Sequence, residues 1–241
     1  MAHRTIRAFT EQPVSNDELH TLFQVARHTA TAAFLQQATL IHVRDQSIRD
    51  GLCQVSGQKY VGGTRGELFV FVADLYRNAT IRHEAGIESE VFGRTNMFFE
   101  AIDDTLLAAQ NVVVAAESMG LGTVYLGSLN SDPRRVIDLL KLPRLTYPIL
   151  GLLVGHPDQS PMYKPRLPLS VTVGVDTYPH VESYSDVLND YDALVTEYYD
   201  LREAQQRIDS FTHQVRTRAG TGASELSPIL EVLHEQGLVL H

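Results

Sequence analysis

Apolar residues along the chain recur either at helical spacing or in unbroken short runs. Ser15 followed three residues later by Glu18 has the spacing of a capping box, and Leu19, Leu22, Phe23 and Ala26 then repeat at i, i+3, i+4 and i+7. This predicts a helix with one buried face. Two β-prone runs follow, Thr39–Val43 and Leu68–Ala73 (LFVFVA). The second is so continuously apolar that both of its faces should be covered, which predicts a central strand. Residues 101–119 (AIDDTLLAAQNVVVAAESM) predict a helix that is apolar almost all round and stops at Gly120. Such a helix belongs inside the molecule or at a subunit interface. GLGTVYLGSL, residues 120–129, reads as a turn, a short strand at Thr123–Leu126 and another turn. Asp132 with Pro133 behind it opens a helix containing Val136, Ile137, Leu139 and Leu140, and Tyr147–Val154 is a further apolar strand ending at Gly155. The order helix, strand, strand, helix, strand, helix, strand predicts an α+β domain with helices packed on one sheet.

Beyond that strand the pattern changes. Pro157, Pro161, Pro165 and Pro168 break regular structure, and between Val181 and Ser210 eight acidic residues face only two basic ones, Arg202 and Arg207. Leu188, Tyr191, Val195 and Tyr198 keep a helical apolar stripe there, and a final helix runs from about Pro228 to Gln236 and ends at Gly237. Residues from about 180 to 241 therefore read as a helical arm whose stripe must be covered by its own body or by a second subunit.

Composition narrows the chemistry. At 241 residues and 44% hydrophobic content the chain can bury a core as one large domain or two small ones, and a mostly disordered chain is excluded. Twenty Lys and Arg against 29 Asp and Glu leave a net charge of −9, which argues against general nucleic-acid binding. The single cysteine, Cys53, cannot form an internal disulfide and reads as a small buried hydrophobe, fitting a reducing compartment. No apolar run reaches the length of a membrane helix, so the expectation is a soluble cytoplasmic protein without membrane partners. The sequence holds no HExxH, GxSxG, Walker-type or GxGxxG fingerprint. Its ten histidines show no metal-ligand pairing, so no metal is expected and each is read as structural or solvated.

Two short segments concentrate the scarce cations. In His3-Arg4-Thr5-Ile6-Arg7, an extended backbone puts His3, Thr5 and Arg7 on one face. In Lys164-Pro165-Arg166, proline stiffens the chain between a compact charge and a planar guanidinium fork. Together they suggest a phosphorylated ligand. Thr29–Gln36 (TATAAFLQ) offers small side chains beside which a flat ligand could approach the backbone. Tyr125–Ser128 offers an aromatic face and a glycine turn, although a tightly packed turn is an equal reading of that segment.

These segments, in this order, resemble the oxygen-insensitive nitroreductase and NADPH-flavin oxidoreductase family, specifically its group A. The likeness covers HRTIRAFT at 3–10, FLQ at 34–36, GQK at 57–59, AAQNVVVAAESMGLGTVYLGSL at 108–129, LGLLVGHP at 150–157 and KPRLP at 164–168. The resemblance implies a nitroreductase-like α+β sandwich, with helices around a mostly antiparallel sheet, spanning 1–241 as a single FMN-binding domain. It also implies a homodimer with the helical arm embracing the partner, FMN as cofactor and NADPH as co-substrate. Hydride would pass through FMN to a small-molecule electron acceptor, either a nitroaromatic, a quinone or a flavin, in ping-pong fashion. Carried over by position, His3, Arg4, Lys164 and Arg166 lie toward the FMN phosphate and Arg7 toward the pyrimidine edge of the ring. Thr5 belongs to the same loop, Thr31 sits where a small hydroxyl residue is used, and Gln58 and Tyr60 follow the glycine-glutamine segment. Tyr125, Leu126, Gly127 and Ser128 match the loop against the ring, and Arg202 and Arg207 fall where the 2′-phosphate of NADPH is gripped. No catalytic side chain is implied, because the chemistry is that of the cofactor. TATAA has fewer hydroxyls than the serine-rich stretch common in the group, and residues 80–98 depart from the family pattern and are expected to shape the acceptor pocket. A dedicated flavin reductase, or a catalytically silent flavin- or nucleotide-binding sensor, stays open as an alternative.

Overall fold

The computed structural model describes residues 3–202, 209–218 and 227–241. In chain order the regular elements begin with α1 (Asn16–Arg27), β1 (Ala38–Val43), α2 (Gln46–Ser56), β2 (Glu67–Asp74) and α3 (Tyr76–Glu84). They continue with α4 (Thr95–Ser118), β3 (Gly122–Leu126), α5 (Pro133–Leu140), β4 (Thr146–Gly155), α6 (Leu169–Thr172) and α7 (Tyr184–Val187). The last are α8 (Asn189–Arg202), α9 (Phe211–Arg218) and α10 (Ile229–Glu235). The chain forms two compact units, a larger one of Thr5–Pro161 with Ser227–His241 and a smaller one of Met1–Arg4 with Met162–Leu226. The closing helix α10 thus belongs to the larger unit, where Val232, Leu233 and Leu238 are buried with Leu75, Phe98 and Tyr147. Arg134 on α5 ties it down further through Glu231 and Glu235, at 2.8 and 2.7 Å.

In the larger unit β1, β2, β4 and β3 lie side by side in that order, and every pair is antiparallel. The expectation of a fully covered central strand holds. Leu68, Val70 and Val72 of β2 point into one core with Leu52 and Val55 of α2 and Val136 of α5, whereas Phe69 and Phe71 point into another with Leu22 of α1 and Ala109, Val112 and Val113 of α4. Side chains alternate across a strand, so an unbroken apolar run needs a helical layer on each side. Pro148 stands inside the interior strand β4, where a missing N–H would normally break the ladder. The register shifts at this point, Phe71 facing Leu150 and Val72 facing Pro148, so a bulge accommodates the proline.

The local signals work as read. Ser15 and Glu18 form the full capping box of α1, Asp132 accepts the Arg135 N–H to cap α5, and Gly120 and Gly237 take φ values of 80° and 76° after their helices. Other features differ from the sequence reading. Helix α2 was not expected, although Ile48, Leu52 and Val55 mark its buried stripe, because Gly51 interrupts it. That glycine has a packing cause: a Cβ there would come within 2.7 Å of Leu139. Helix α3 buries only Ala79 and leaves no periodicity to read. Helix α4 begins at Thr95, six residues before the expected Ala101. Cys53 is half-buried at the edge of the core, not enclosed in it.

The N-terminal strip is laid directly on this sheet. Thr5 bridges Thr123 in parallel fashion, the Ile6 N–H donates to the Thr123 carbonyl at 2.9 Å, and Phe9 bridges Pro157. Ile6 and Phe9 are buried against glycines. A Cβ on Gly122 would lie 2.7 Å from Ile6 Cγ1, and one on Gly155 would lie 2.9 Å from Phe9 Cδ1. Replacing Gly122 with Ala is therefore expected to destabilise the protein by about 1–3 kcal/mol, the range for overpacking. Denaturant unfolding checks this, and an unchanged midpoint would show that the strip is not packed as described.

Candidate functional site

Several of the sequence-predicted residues of the larger unit lie on β3 or on the strip that pairs with it. Thr5 pairs with Thr123 of β3, and the strip then crosses to the end of β4, where Phe9 bridges Pro157 and the Thr10 N–H donates to the His156 carbonyl at 2.9 Å. With Ile6 and Phe9 turned inward, Thr5 is half-buried and Arg7 is exposed, without an ion-pair partner among the described residues. At the end of β3, Tyr125 is half-buried and its hydroxyl donates to Gln110 Oε1 at 3.3 Å. Burial, with help from the Glu117 charge, pushes the Tyr125 pKa up to about 12, so the phenol stays a neutral donor. Leu126 is buried, and the exposed Gly127 opens the turn Gly127–Ser131, in which Ser128 is half-buried and Leu129 is buried.

Gly127 is informative because no neighbour among the described residues requires a glycine there. Its φ is not positive, and a Cβ added there would meet no atom within 4 Å. Gly122 and Gly155 are glycines because the chain's own side chains occupy the space, whereas Gly127 leaves bare backbone facing open space. A flat ligand approaching this backbone fits such a position.

The remaining predicted residues of the larger unit lie on two loops. Gln58 is exposed after the C-cap Gly57 of α2, and Tyr60 is half-buried against the core. This loop is held by a residue that the sequence reading missed. Arg49, 6% exposed, donates from Nε to the Val61 carbonyl at 2.8 Å and from its two terminal nitrogens to Gly66 at 2.8 Å and Arg65 at 2.7 Å. Thr31 is half-buried in a cavity of about 510 Å³ whose lining includes Arg27, Thr29, His42, Arg77 and Asp104. Asp104 was also missed, although the helical repeat that buries Ala101, Thr105 and Ala108 passes through it. A carboxylate on an apolar face was the signal. Among the described residues no cluster of His, Cys, Asp or Glu could hold a metal, and no helix is long and apolar enough to cross a membrane.

In the smaller unit the two basic segments meet. The Arg4 guanidinium carbon stands 4.0 Å from the centroid of the Tyr163 ring, one residue before Lys164. This cation–π contact places Arg4 beside the residue that precedes Lys164-Pro165-Arg166. His3, Lys164 and Arg166 are exposed. Lys164 and Arg166 line a cavity of about 590 Å³ with Tyr191, Tyr198 and Phe211. The rings of Tyr191 and Phe211 meet edge to face at 5.5 Å, and the Tyr191 hydroxyl donates to the Pro165 carbonyl at 3.4 Å. Arg202 ends α8, but its side chain and the whole of Arg207 lie outside the described residues.

This arrangement can be set beside known proteins. Residues 1–156 match the nitroreductase family and residues 164–241 match the C-terminal domain of that family. The chain belongs to the nitroreductase family. It is 35% identical over 242 residues to an NADPH-dependent oxidoreductase of Staphylococcus aureus (strain USA300), covering 98% of this chain and 95% of that protein. The NfrA1 nitroreductase from B. subtilis superposes with a TM-score of 0.91 at 33% identity over 100% of this chain and 97% of the other. An NADPH:FMN oxidoreductase from Vibrio harveyi, complexed with NAD+, gives a TM-score of 0.86 at 33% identity over 100% and 96%. The α+β fold expected from the sequence is the fold of this family, and the chain is a nitroreductase-family oxidoreductase.

His42, in the cavity beside Thr31, pairs with Glu67 at 2.7 Å and packs between the rings of Phe23 and Phe69. The hydrogen bond from His42 holds the Glu67 pKa below its ordinary 4.5. A depressed carboxylate pKa stabilises the fold above the ordinary value, and that contribution is lost as pH falls through the lowered folded value. Glu67→Gln is therefore expected to be less stable than the wild type at neutral pH, with the gap closing under acid. Melting curves across the acid range check this, and a gap independent of pH would refute it.

Proposed function

We propose that this nitroreductase-family chain is an FMN-dependent NAD(P)H oxidoreductase that passes hydride from NADPH to nitroaromatics, quinones or flavins by a ping-pong mechanism. The observation that carries the reading is the meeting of its two basic segments through Arg4 and Tyr163. Its relatives' activities as an NADPH-dependent oxidoreductase and an NADPH:FMN oxidoreductase support the choice of cofactor and donor. His3, Arg4, Lys164 and Arg166 would hold the FMN phosphate, Arg by its planar fork and Lys as a point charge. Thr5, Thr31, Gln58 and Tyr60 would hydrogen-bond or flank the flavin, and bare backbone at Gly127, between Leu126 and Ser128, would let it approach Tyr125 closely. When bound, FMN supplies the hydride chemistry that no side chain of this protein provides. The Arg7 guanidinium would stabilise negative charge at the pyrimidine edge. Arg202 and Arg207 would offer a forked site for the 2′-phosphate of NADPH.

A homodimer is part of this proposal. Helix α4 leaves Phe99, Leu106, Leu107 and Val114 exposed opposite its buried face, an apolar patch that a second subunit would cover. The acceptor would enter the cavity of about 680 Å³ lined by Phe34, Ile81, Arg82, Phe92 and Met97, in the region where the sequence departs from the family pattern.

The purified protein should be yellow, with about one FMN per subunit and NADPH oxidation that depends on an added acceptor. Colourless protein that gains no activity on FMN addition would refute the proposal, and bound flavin without turnover would identify a sensor instead. Strong preference for free flavin over nitrofurazone and quinones would identify a dedicated flavin reductase. Arg7→Ala is expected to weaken FMN binding by about 1.5–3 kcal/mol, the worth of a hydrogen bond to a charged group. Fluorescence titration with FMN measures it, and unchanged affinity would place Arg7 away from the flavin.

A further inference from the structure

The loop between α1 and β1 holds backbone strain. Ala33, Phe34 and Gln36 have φ values of 48°, 61° and 53°, the left-handed region where L side chains are disfavoured. None is glycine. All three lie between Ala32 and Gln37, and the backbone N–H groups of those two residues donate to a single carboxylate. Ala32 N reaches Asp104 Oδ1 at 2.7 Å and Gln37 N reaches Asp104 Oδ2 at 2.8 Å. Asp104 is 1% exposed on the inner face of α4. From α3, Arg77 donates to the Gln36 carbonyl at 2.8 Å and Asn78 to the Leu35 carbonyl at 2.9 Å. The gripped segment turns Phe34 outward, 83% exposed, and its residues 34–36 form one wall of the cavity that also contains Ile81, Phe92 and Met97.

Strained backbone persists only where its surroundings over-determine it. A buried carboxylate with both oxygens bonded to N–H groups is such a constraint, because charge-assisted hydrogen bonds are strong in a low-dielectric interior. We infer that Asp104 is a positioning residue for the electron acceptor: by bracketing residues 32–37 it holds the wall of the acceptor cavity in its working shape. This rests on the assignment of that cavity proposed above. Apolar packing of α4 would not need a carboxylate, and an uncompensated one in its place would be costly, so the two backbone partners explain why it is there.

Asp104→Asn keeps the volume and one acceptor oxygen but turns an amide donor toward the second backbone N–H. Without flavin, amide exchange at Ala32 and Gln37 should be slow in the wild type and accelerate in the variant while the core amides of α4 stay protected. In the FMN-loaded enzyme the KM for nitrofurazone should rise about tenfold, while the rate at which NADPH bleaches the flavin absorbance stays within about twofold. Adding Ala33→Gly should recover most of the lost KM, because glycine adopts positive φ without penalty. A carboxylate that served stability alone would lower the melting temperature and gain nothing in KM from Ala33→Gly. An unchanged KM, or a raised one that Ala33→Gly does not recover, overturns the inference. Should Asp104→Asn not fold, fast exchange at Ala32 and Gln37 in the wild type overturns it as well. A protein that binds no flavin would instead refute the proposed function, and the exchange measurement on the flavin-free protein would still decide the role of Asp104.

Discussion

The structure of the larger unit depends on burying both faces of the β2–β4 pair. Because neighbouring side chains such as Phe69 and Val70, or Leu152 and Leu153, point to opposite sides, the strands cannot leave either face in water. One face takes α2 and α5 and the other takes α1 and α4. Each apolar side chain enclosed in this way contributes about 1.5–3 kcal/mol relative to exposure, which outweighs what any single surface interaction supplies. Helical layers then cover the sheet, and chemistry is left to strand ends, sheet edges and the loops that reach them.

That constraint accounts for where the candidate site residues stand. Thr5 pairs with β3, and Tyr125–Ser128 occupy the end of that strand and the turn after it. Thr31 precedes β1, and Gln58 and Tyr60 follow α2. The glycines divide into two physical classes. Gly51, Gly122 and Gly155 are filled by neighbouring side chains of the chain itself, whereas Gly127 faces space that the described residues do not fill. The loops are fixed by charged groups bonded to backbone. Arg49 spans three carbonyls and Asp104 accepts from two N–H groups, so each buried group is bonded to backbone. Such grips fix loop geometry more closely than apolar contacts, which are non-directional.

Much of this is legible in the sequence alone. The capping box of α1, the covered strand β2, the stop at Gly120 and the start of α5 at Asp132 are all local, and each depends on residues within one turn or one strand. The basic segments were legible as segments, since cations are scarce in an acidic chain, and the family resemblance gave them an order and a ligand. Helix α2 escaped because Gly51 weakens its local helical signal, and the reason for that glycine, Leu139, lies 88 positions further along. Helix α3 escaped because it buries one alanine. Arg49 and Asp104 escaped because a charge on an apolar face has meaning only through what it bonds.

The sequence by itself determined the elements with strong local signals, the fold class and the family, because hydrophobic period, caps and turn residues act over a few positions and survive without tertiary context. It also set out which residues could carry charge toward a phosphorylated ligand. Only the tertiary structure decided that Arg4 meets Tyr163, that Gly127 is bare while Gly122 is filled, and that one carboxylate brackets three left-handed residues. These are contacts between segments far apart along the chain. Their direction and distance follow from how layers pack around the sheet, a property that no local window of residues contains.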